Sequence, residues 1–149
     1  MGTQTIAVGS DHAAFPVKEE LKKLLTEWGW EVTDFGTHSA DSCHYPDIAH
    51  PLAAAVAAGK FSRGLLLCGT GLGMTYAANR HAGVRAADCW SRETAALARE
   101  HNDSNILVLP GRVPTLDPLP EILKTWLETP FSQGERHIQR VKMIELPEA

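Results

Sequence analysis

A cysteine followed by alternating glycines, Cys68-Gly69-Thr70-Gly71-Leu72-Gly73, ends the apolar run Leu65-Leu66-Leu67. Glycines leave backbone N–H groups unobstructed, so such a loop can close around an anion. Residues Met74 to Arg80 read as helix, and a helix N-terminus adds a preference for negative charge. The same field would favour a thiolate at Cys68. A base or nucleophile beside an anion cradle suits proton transfer or covalent chemistry on an anionic substrate. Each half also has a plainer reading. A strand-ending cysteine is commonly core, and alternating glycines can form no more than a tight turn.

Other polar residues fall where strands or helices end. Asp11 and His12 follow the first strand, His101 and Asn102 precede the fifth, and Arg112 follows it. Tyr45 and Pro46 close a long loop that begins at Gly36. Arg136 and Arg140 stand four apart, on one face of a helix. Caps, turns and a solvated face account for each of these taken alone. His38, His44, His50, His81 and His137 share no metal-ligand spacing, so no metal site is read.

Several chemistries are set aside by what is missing. The turn after the first strand is Gly9-Ser10-Asp11-His12, not a dinucleotide fingerprint. Met74 stands where a phosphate-loop NTPase needs the lysine that closes its loop. It also stands where a cysteine phosphatase needs the arginine that clamps a phosphoryl group. A receiver domain would carry aspartate where Cys68 stands. What is left suits proton transfer beside the carbonyl of a phosphorylated substrate.

The elements that must position these groups alternate. Strands are read at Thr5–Val8, Glu31–Phe35, Gly64–Cys68, Val84–Cys89 and Asn105–Leu109. Val17, Leu21, Leu24, Leu25 and Trp28 recur at helical spacing between Pro16 and Gly29. Further helices are read over Ile48–Ala58, Met74–His81 and Ser91–Glu100, and after Pro114 through Leu116, Leu119, Ile122, Leu123, Trp126 and Leu127. A C-terminal helix covers about 135–146. Trp28 and Trp126 fall on apolar faces and read as packing. Five strands alternating with helices predict a three-layer α/β fold: a five-stranded parallel sheet of Rossmann-like or flavodoxin-like order, with helices on both faces.

The chain has 149 residues, which suits one domain spanning 1–149. Its net charge of −4 argues against a nucleic-acid surface. No apolar run reaches membrane length and no leader is read, so no membrane partner is expected. Three cysteines without paired spacing point to a reducing cytoplasm.

Taken together, the motifs resemble the ribose-5-phosphate isomerase type B family, which includes the galactose-6-phosphate isomerase subunits. The resemblance runs nearly end to end. It rests on Gly9-Ser10-Asp11-His12-Ala13, Asp34-Phe35-Gly36-Thr37, Tyr45-Pro46-Asp47, Cys68 to Gly73, Ala77-Ala78-Asn79-Arg80, Gly83-Val84-Arg85-Ala86, Ala98 to Asn105 and Gly134 to Arg140. It implies an aldose–ketose isomerase that needs no cofactor or metal, with ribose 5-phosphate as first substrate. Another four- to six-carbon sugar phosphate, or a non-catalytic sugar-phosphate-binding protein, is the alternative.

The resemblance also implies roles. Cys68 moves the proton between C2 and C1, and the backbone of Gly69, Thr70, Gly71, Leu72 and Gly73 holds the enediolate oxygen, with Thr70 counted in the catalytic group. His101 assists ring opening. Asp11 and His12 contact the sugar end and the phosphate, Tyr45 lines the site, and Asn102 orients hydroxyls. Arg112, Arg136 and Arg140 bind phosphate. One branch of the family uses a glutamate where Met74 stands; with Cys68 present, the cysteine branch fits. The family forms dimers, some tetramers, with sites across the subunit interface. The arrangement expected here sets His101, Asn102 and Arg112 of one chain against Cys68, Arg136 and Arg140 of the other. The chain departs from the family at Ala14, usually glycine, and in Cys89 to Thr94, which lacks the common Pro-Tyr. His38 and His44 also colour its long loop.

Overall fold

The computed structural model describes residues 4–147. Strands β3 (Gly64–Cys68) and β5 (Ile106–Pro110) are buried along their whole length. Such continuous apolar runs belong to central strands of a parallel sheet covered on both faces. Strand β1 (Gln4–Ser10) is buried from Ile6 onward, whereas β2 (Trp30–Asp34) and β4 (Ala86–Asp88) are partly exposed. The order is β2-β1-β3-β5-β4 and every pair is parallel.

The expected three-layer α/β class is therefore the one observed, with a particular strand order. Its first three strands follow the flavodoxin-like arrangement and the last two exchange places. The apolar Ile106-Leu107-Val108-Leu109 run takes the interior position. The three-residue β4, ending in the charged Asp88, takes the edge.

Alternation along the strands divides the core in two. Ile6, Val8, Leu65, Leu67, Leu107 and Leu109 face one side. Helices α1 (Phe15–Glu27), α4 (Arg92–Glu100) and α5 (Leu119–Glu128) cover that side through Leu21, Leu25, Ala95, Ile122, Leu123 and Trp126. Ala7, Leu66, Cys68, Ile106 and Val108 face the other, under α2 (Tyr45–Ala57) and α3 (Leu72–Ala78). Trp126 is fully buried and donates its indole N–H to Ser104 Oγ at 2.7 Å; Trp28 packs at the edge of the same core.

Several boundaries differ from the sequence reading: strand ends move by one or two residues, β4 shrinks from Val84–Cys89 to Ala86–Asp88, α3 runs Leu72–Ala78 instead of Met74–His81, and three further shifts involve prolines or helix ends. Helix α2 starts at Tyr45 instead of Ile48, because Pro46 is tolerated in a first helical turn. Tyr45 and Pro46 thus open a helix rather than close a loop. Leu116 lies outside α5 and is 87% exposed, since that helix begins only after Pro118. The C-terminal helix α6 (Glu135–Ile144) stops short of residue 146, with Glu145 already extended.

Candidate active site

All strands point the same way, so their C-terminal ends share one rim of the sheet. The chain runs from β1 outward to β2 and returns past β1 to β3, which makes the β1/β3 boundary the topological switch point. Ligands of open α/β sheets bind in the crevice at such a point. Cys68, at the end of β3, is 4% exposed there.

The turns after β1, β3 and β5 are stitched together around it. Asp11 N–H donates to Leu67 O at 3.1 Å, Gly111 N–H to Cys68 O at 2.8 Å, and Arg112 N–H to Gly69 O at 3.0 Å. A Cβ on Gly111 would meet Ala14 Cβ at 2.6 Å, so the β1 and β5 turns are in van der Waals contact. Asp11 spends one carboxylate oxygen on the Ala14 N–H at 3.1 Å, which shapes the start of α1. His12 Nδ1 accepts the Cys43 N–H at 3.1 Å. The neutral imidazole therefore carries its hydrogen on Nε2, leaving a donor on its other edge. The backbone of Cys43 thus orients His12, a contact that a sequence separation of 31 positions hides from the sequence.

The glycine loop bends tightly into α3. Gly71 has φ +83°, a left-handed conformation that glycine adopts without penalty. The Leu72 N–H is taken by Thr70 Oγ1 at 3.2 Å, so in this state Thr70 orders the loop and that N–H is occupied. The Tyr45 ring lies on Gly73, where a Cβ would meet its Cζ at 2.5 Å. On the other side the Asp88 carboxylate presses against Gly71. Asp88 accepts the Trp90 indole N–H at 3.1 Å, and burial pushes its carboxyl up to about 6. Asp88 is not among the candidates that the sequence offers. Its signal was its place at the end of a strand, next to the segment that departs from the family.

His101 and Asn102 are elsewhere. Helix α4 returns from the C-terminal rim to the opposite one, and His101 caps its far end, five residues before β5 begins. Cys68 is level with Pro110, at the other end of β5. At the usual strand rise the length of β5 alone separates the two rims by roughly 13 Å.

Helix α6 lies at this N-terminal rim too. His137 stacks on His101 with ring centroids 4.5 Å apart, Ser132 N–H donates to Glu100 O at 3.0 Å, and Glu145 accepts the Gly83 N–H at 2.7 Å. Arg136 and Arg140 are exposed on that helix. Partial desolvation and the neighbouring His101, Arg136 and Arg140 hold His137 below the ordinary histidine value.

The expected grouping is thus corrected in two places. Arg112 belongs with Cys68, because its peptide is bonded to Gly69. Arg136 and Arg140 belong with His101, because α6 docks on the end of α4. Of the remaining histidines, His50 and His81 pair at 2.8 Å on α2 and beyond α3. Among the described residues no three histidine, cysteine, aspartate or glutamate side chains gather as a metal site. Cys89 is core, and burial pushes its thiol to about 11.

These features define a doubly covered parallel α/β protein with a buried thiol at the switch-point end of the sheet, beside a glycine loop opening a helix. A family model described as Ribose/Galactose Isomerase matches residues 6–144, and the chain belongs to that family. It is 44% identical over 139 residues to ribose-5-phosphate isomerase B of Escherichia coli, covering 93% of each chain. It is 39% identical over 131 residues to D-erythrulose-4-phosphate isomerase of Pectobacterium atrosepticum, covering 87% of this chain and 86% of that one. A solved ribose 5-phosphate isomerase of Thermotoga maritima superposes with a TM-score of 0.90 at 48% identity, over 96% of this chain and 98% of that one.

Proposed function

We propose that this chain is an aldose–ketose isomerase that interconverts ribose 5-phosphate and ribulose 5-phosphate by cofactor-free proton transfer. The observation that carries the reading is Cys68, buried at the switch-point rim and followed by the Gly69–Gly73 loop. The Cys68 thiolate takes the C2 proton of the open-chain aldose. The electron pair left behind forms the C1–C2 double bond, and O1 becomes the enediolate oxygen, held by loop N–H groups. Return of the proton to C1 and transfer of the O2 hydroxyl proton to O1, as the C2 carbonyl forms, give the ketose. Asp11 and the His12 Nε2–H contact the substrate ends, and Tyr45 walls the crevice.

His101 and Asn102 cannot serve the Cys68 of their own chain, because they stand at the opposite rim. A second copy of the chain supplies them, together with Arg136 and Arg140, and Arg112 joins these arginines on the phosphate. His101 assists opening of the sugar ring and Asn102 orients hydroxyls. The apolar side chains left exposed on α3 and α6 support such a partner: Tyr76 is 63% exposed and Met143 72%. The working unit is a homodimer, or a homotetramer of two such dimers. The three free thiols suit a cytoplasmic setting.

Turnover of four-, five- and six-carbon aldose phosphates, compared by kcat/KM, tests the assignment. Ribose 5-phosphate should lead the panel. The erythrulose-4-phosphate-acting relative makes a four-carbon substrate the competing outcome, and no turnover of any sugar would mean a binding protein. Cys68→Ala should lower kcat by about 10² or more with little change in binding, the loss expected of a general base. Near-normal turnover would remove Cys68 from that role. Arg140→Ala removes one charge-assisted phosphate contact and should raise KM about tenfold, with no change for an unphosphorylated sugar. An equal loss on both would make the arginine structural.

A further inference from the structure

Three arginines converge on a cavity at the N-terminal rim. Arg63 precedes β3, Arg85 precedes β4 and Arg99 lies on α4; together with Ser62 and Asp103 they line a cavity of about 410 Å³. Two of the guanidiniums are held in place. Arg99 Nη1 donates to Asp103 Oδ1 at 2.9 Å and to Ser104 O at 2.5 Å, and Arg99 Nε to Thr129 O at 3.2 Å. Arg85 Nε donates to Asp103 O at 2.9 Å, with Nη2 3.5 Å from Asp103 Oδ2. Asp103 bridges them from a left-handed backbone conformation, φ +49°.

Among the described residues Arg63 has no such acceptor. Its guanidinium lies over the Trp126 ring at 5.0 Å, and its Nη1 is buried without a hydrogen-bond partner. Burial and the neighbouring Arg99 lower it to about 10, so it stays charged at neutral pH. Three guanidiniums against one carboxylate leave a surplus of two positive charges in a chain whose net charge is −4. A buried guanidinium N–H without an acceptor is costly, and an anion seated there would satisfy it.

We propose that this cavity is a second oxyanion site, separate from the Cys68 crevice, and that it takes a phosphate group. A phosphate carries about two negative charges near neutral pH and several acceptor oxygens, which match the surplus charge and the guanidinium forks. The cavity volume falls in the ordinary range for small-ligand pockets, so a phosphate with a short carbon chain also fits. Inorganic phosphate and a small phosphomonoester share this chemistry.

Equilibrium dialysis of the full chain with labelled inorganic phosphate tests the site. The wild type should show two classes of binding per chain. Arg140→Ala should weaken one class, and Arg63→Gln should weaken the other by about tenfold or more, the effect of losing one charge-assisted contact. Arg63→Gln should leave kcat/KM for ribose 5-phosphate unchanged. Ser62→Glu sets a carboxylate at the exposed mouth of the cavity and should abolish the same class without disturbing a buried group, so it decides the matter if Arg63→Gln fails to fold. Displacement of that class by glycerol 3-phosphate identifies a phosphomonoester as occupant, and resistance identifies inorganic phosphate. A single class in the wild type, or survival of both classes in Ser62→Glu, overturns the proposal.

Discussion

Asp88 sets a carboxylate against Gly71, in the loop proposed to hold the enediolate oxygen. Its charge is poorly solvated there, because Gly71 covers one side and the Trp90 indole the other. The native state therefore holds the Asp88 proton up to about pH 6, well above the ordinary value of 3.8. Between those values the folded chain binds more protons than the unfolded one, so stability falls as pH rises through that window. Asp88→Asn keeps an oxygen for Trp90 and removes the ionisation. It should stabilise the protein by about 1 kcal/mol at neutral pH, after allowance for solvent screening of a half-exposed group, and by almost nothing near pH 4. Urea unfolding midpoints at the two pH values measure this; an equal gain at both would mean that packing, not charge, is responsible. Asp88 was not readable as a site residue, since nothing local says that a strand-ending aspartate will meet a loop that follows a different strand. Cys68 was readable, because its strand and loop are contiguous with it. His12 was readable as a polar group at a strand end, but its tautomer rests on the distant Cys43 peptide.

At the scale of elements, the first helix is tied to the second strand through a buried cation. Lys18 is fully buried on α1, and its ammonium donates to Asp34 at 2.7 and 2.8 Å and to Thr37 O at 2.6 Å. Lys22 adds a further bond to Asp34 at 2.8 Å. Burial alone would raise the Asp34 carboxyl, but hydrogen bonds from Lys18, Lys22 and the Gly36 N–H outweigh it and hold it below the ordinary carboxylate value. This network fixes the start of the loop that runs on to Cys43 and His12. Asp34→Ala would leave the buried Lys18 ammonium with the Thr37 carbonyl and a Glu19 carboxylate 3.6 Å away, and should destabilise the chain by about 3 kcal/mol, since removing one partner of a buried pair is costly. Because the folded value of Asp34 is depressed, its contribution is present above the unfolded value of 3.8 and is lost as pH falls below it. The variant should therefore lose less stability than the wild type on acidification below about pH 4; parallel acid transitions would count against the network. The elements themselves were legible wherever hydrophobic period and end signals agreed. Pro16 and Gly29 bracket α1, and the Leu65–Leu67 run marks a central strand. Strand order was less so. Parallel strands joined by helices carry no local mark of which neighbour they pair with, and reading the fourth strand as Val84–Cys89 hides that it is short and ends at Asp88, as suits an edge.

At the scale of the molecule, the proposed site residues fall at opposite rims of the described chain, and the proposed function builds each site from one rim of each of two copies. Cys68, the glycine loop, Asp11, His12, Tyr45 and Arg112 share the C-terminal rim. His101, Asn102, Arg136 and Arg140 share the N-terminal rim. A two-fold dimer that docks one rim on the other makes two equivalent sites, since a self-complementary interface repeats every contact twice. The division of the arginines could not be read along the chain, where Arg112 stands closer to His101 than to Cys68; it follows from α4 and β5 running in opposite directions. That division makes subunit mixing discriminating. Cys68→Ala mixed with His101→Ala gives heterodimers in which one site carries both defects and the other none. About a quarter of wild-type activity should return after random exchange, because half the dimers are mixed and each has one intact site. Cys68→Ala with Arg140→Ala should behave likewise for the KM defect. Cys68→Ala with Arg112→Ala should not recover, because both defects fall in the same half and every site inherits one of them. Subunit exchange is confirmed by native mass spectrometry before activity is read. Recovery in the Arg112 mixture, or none in the His101 mixture despite exchange, would mean that the rims are not shared in this way.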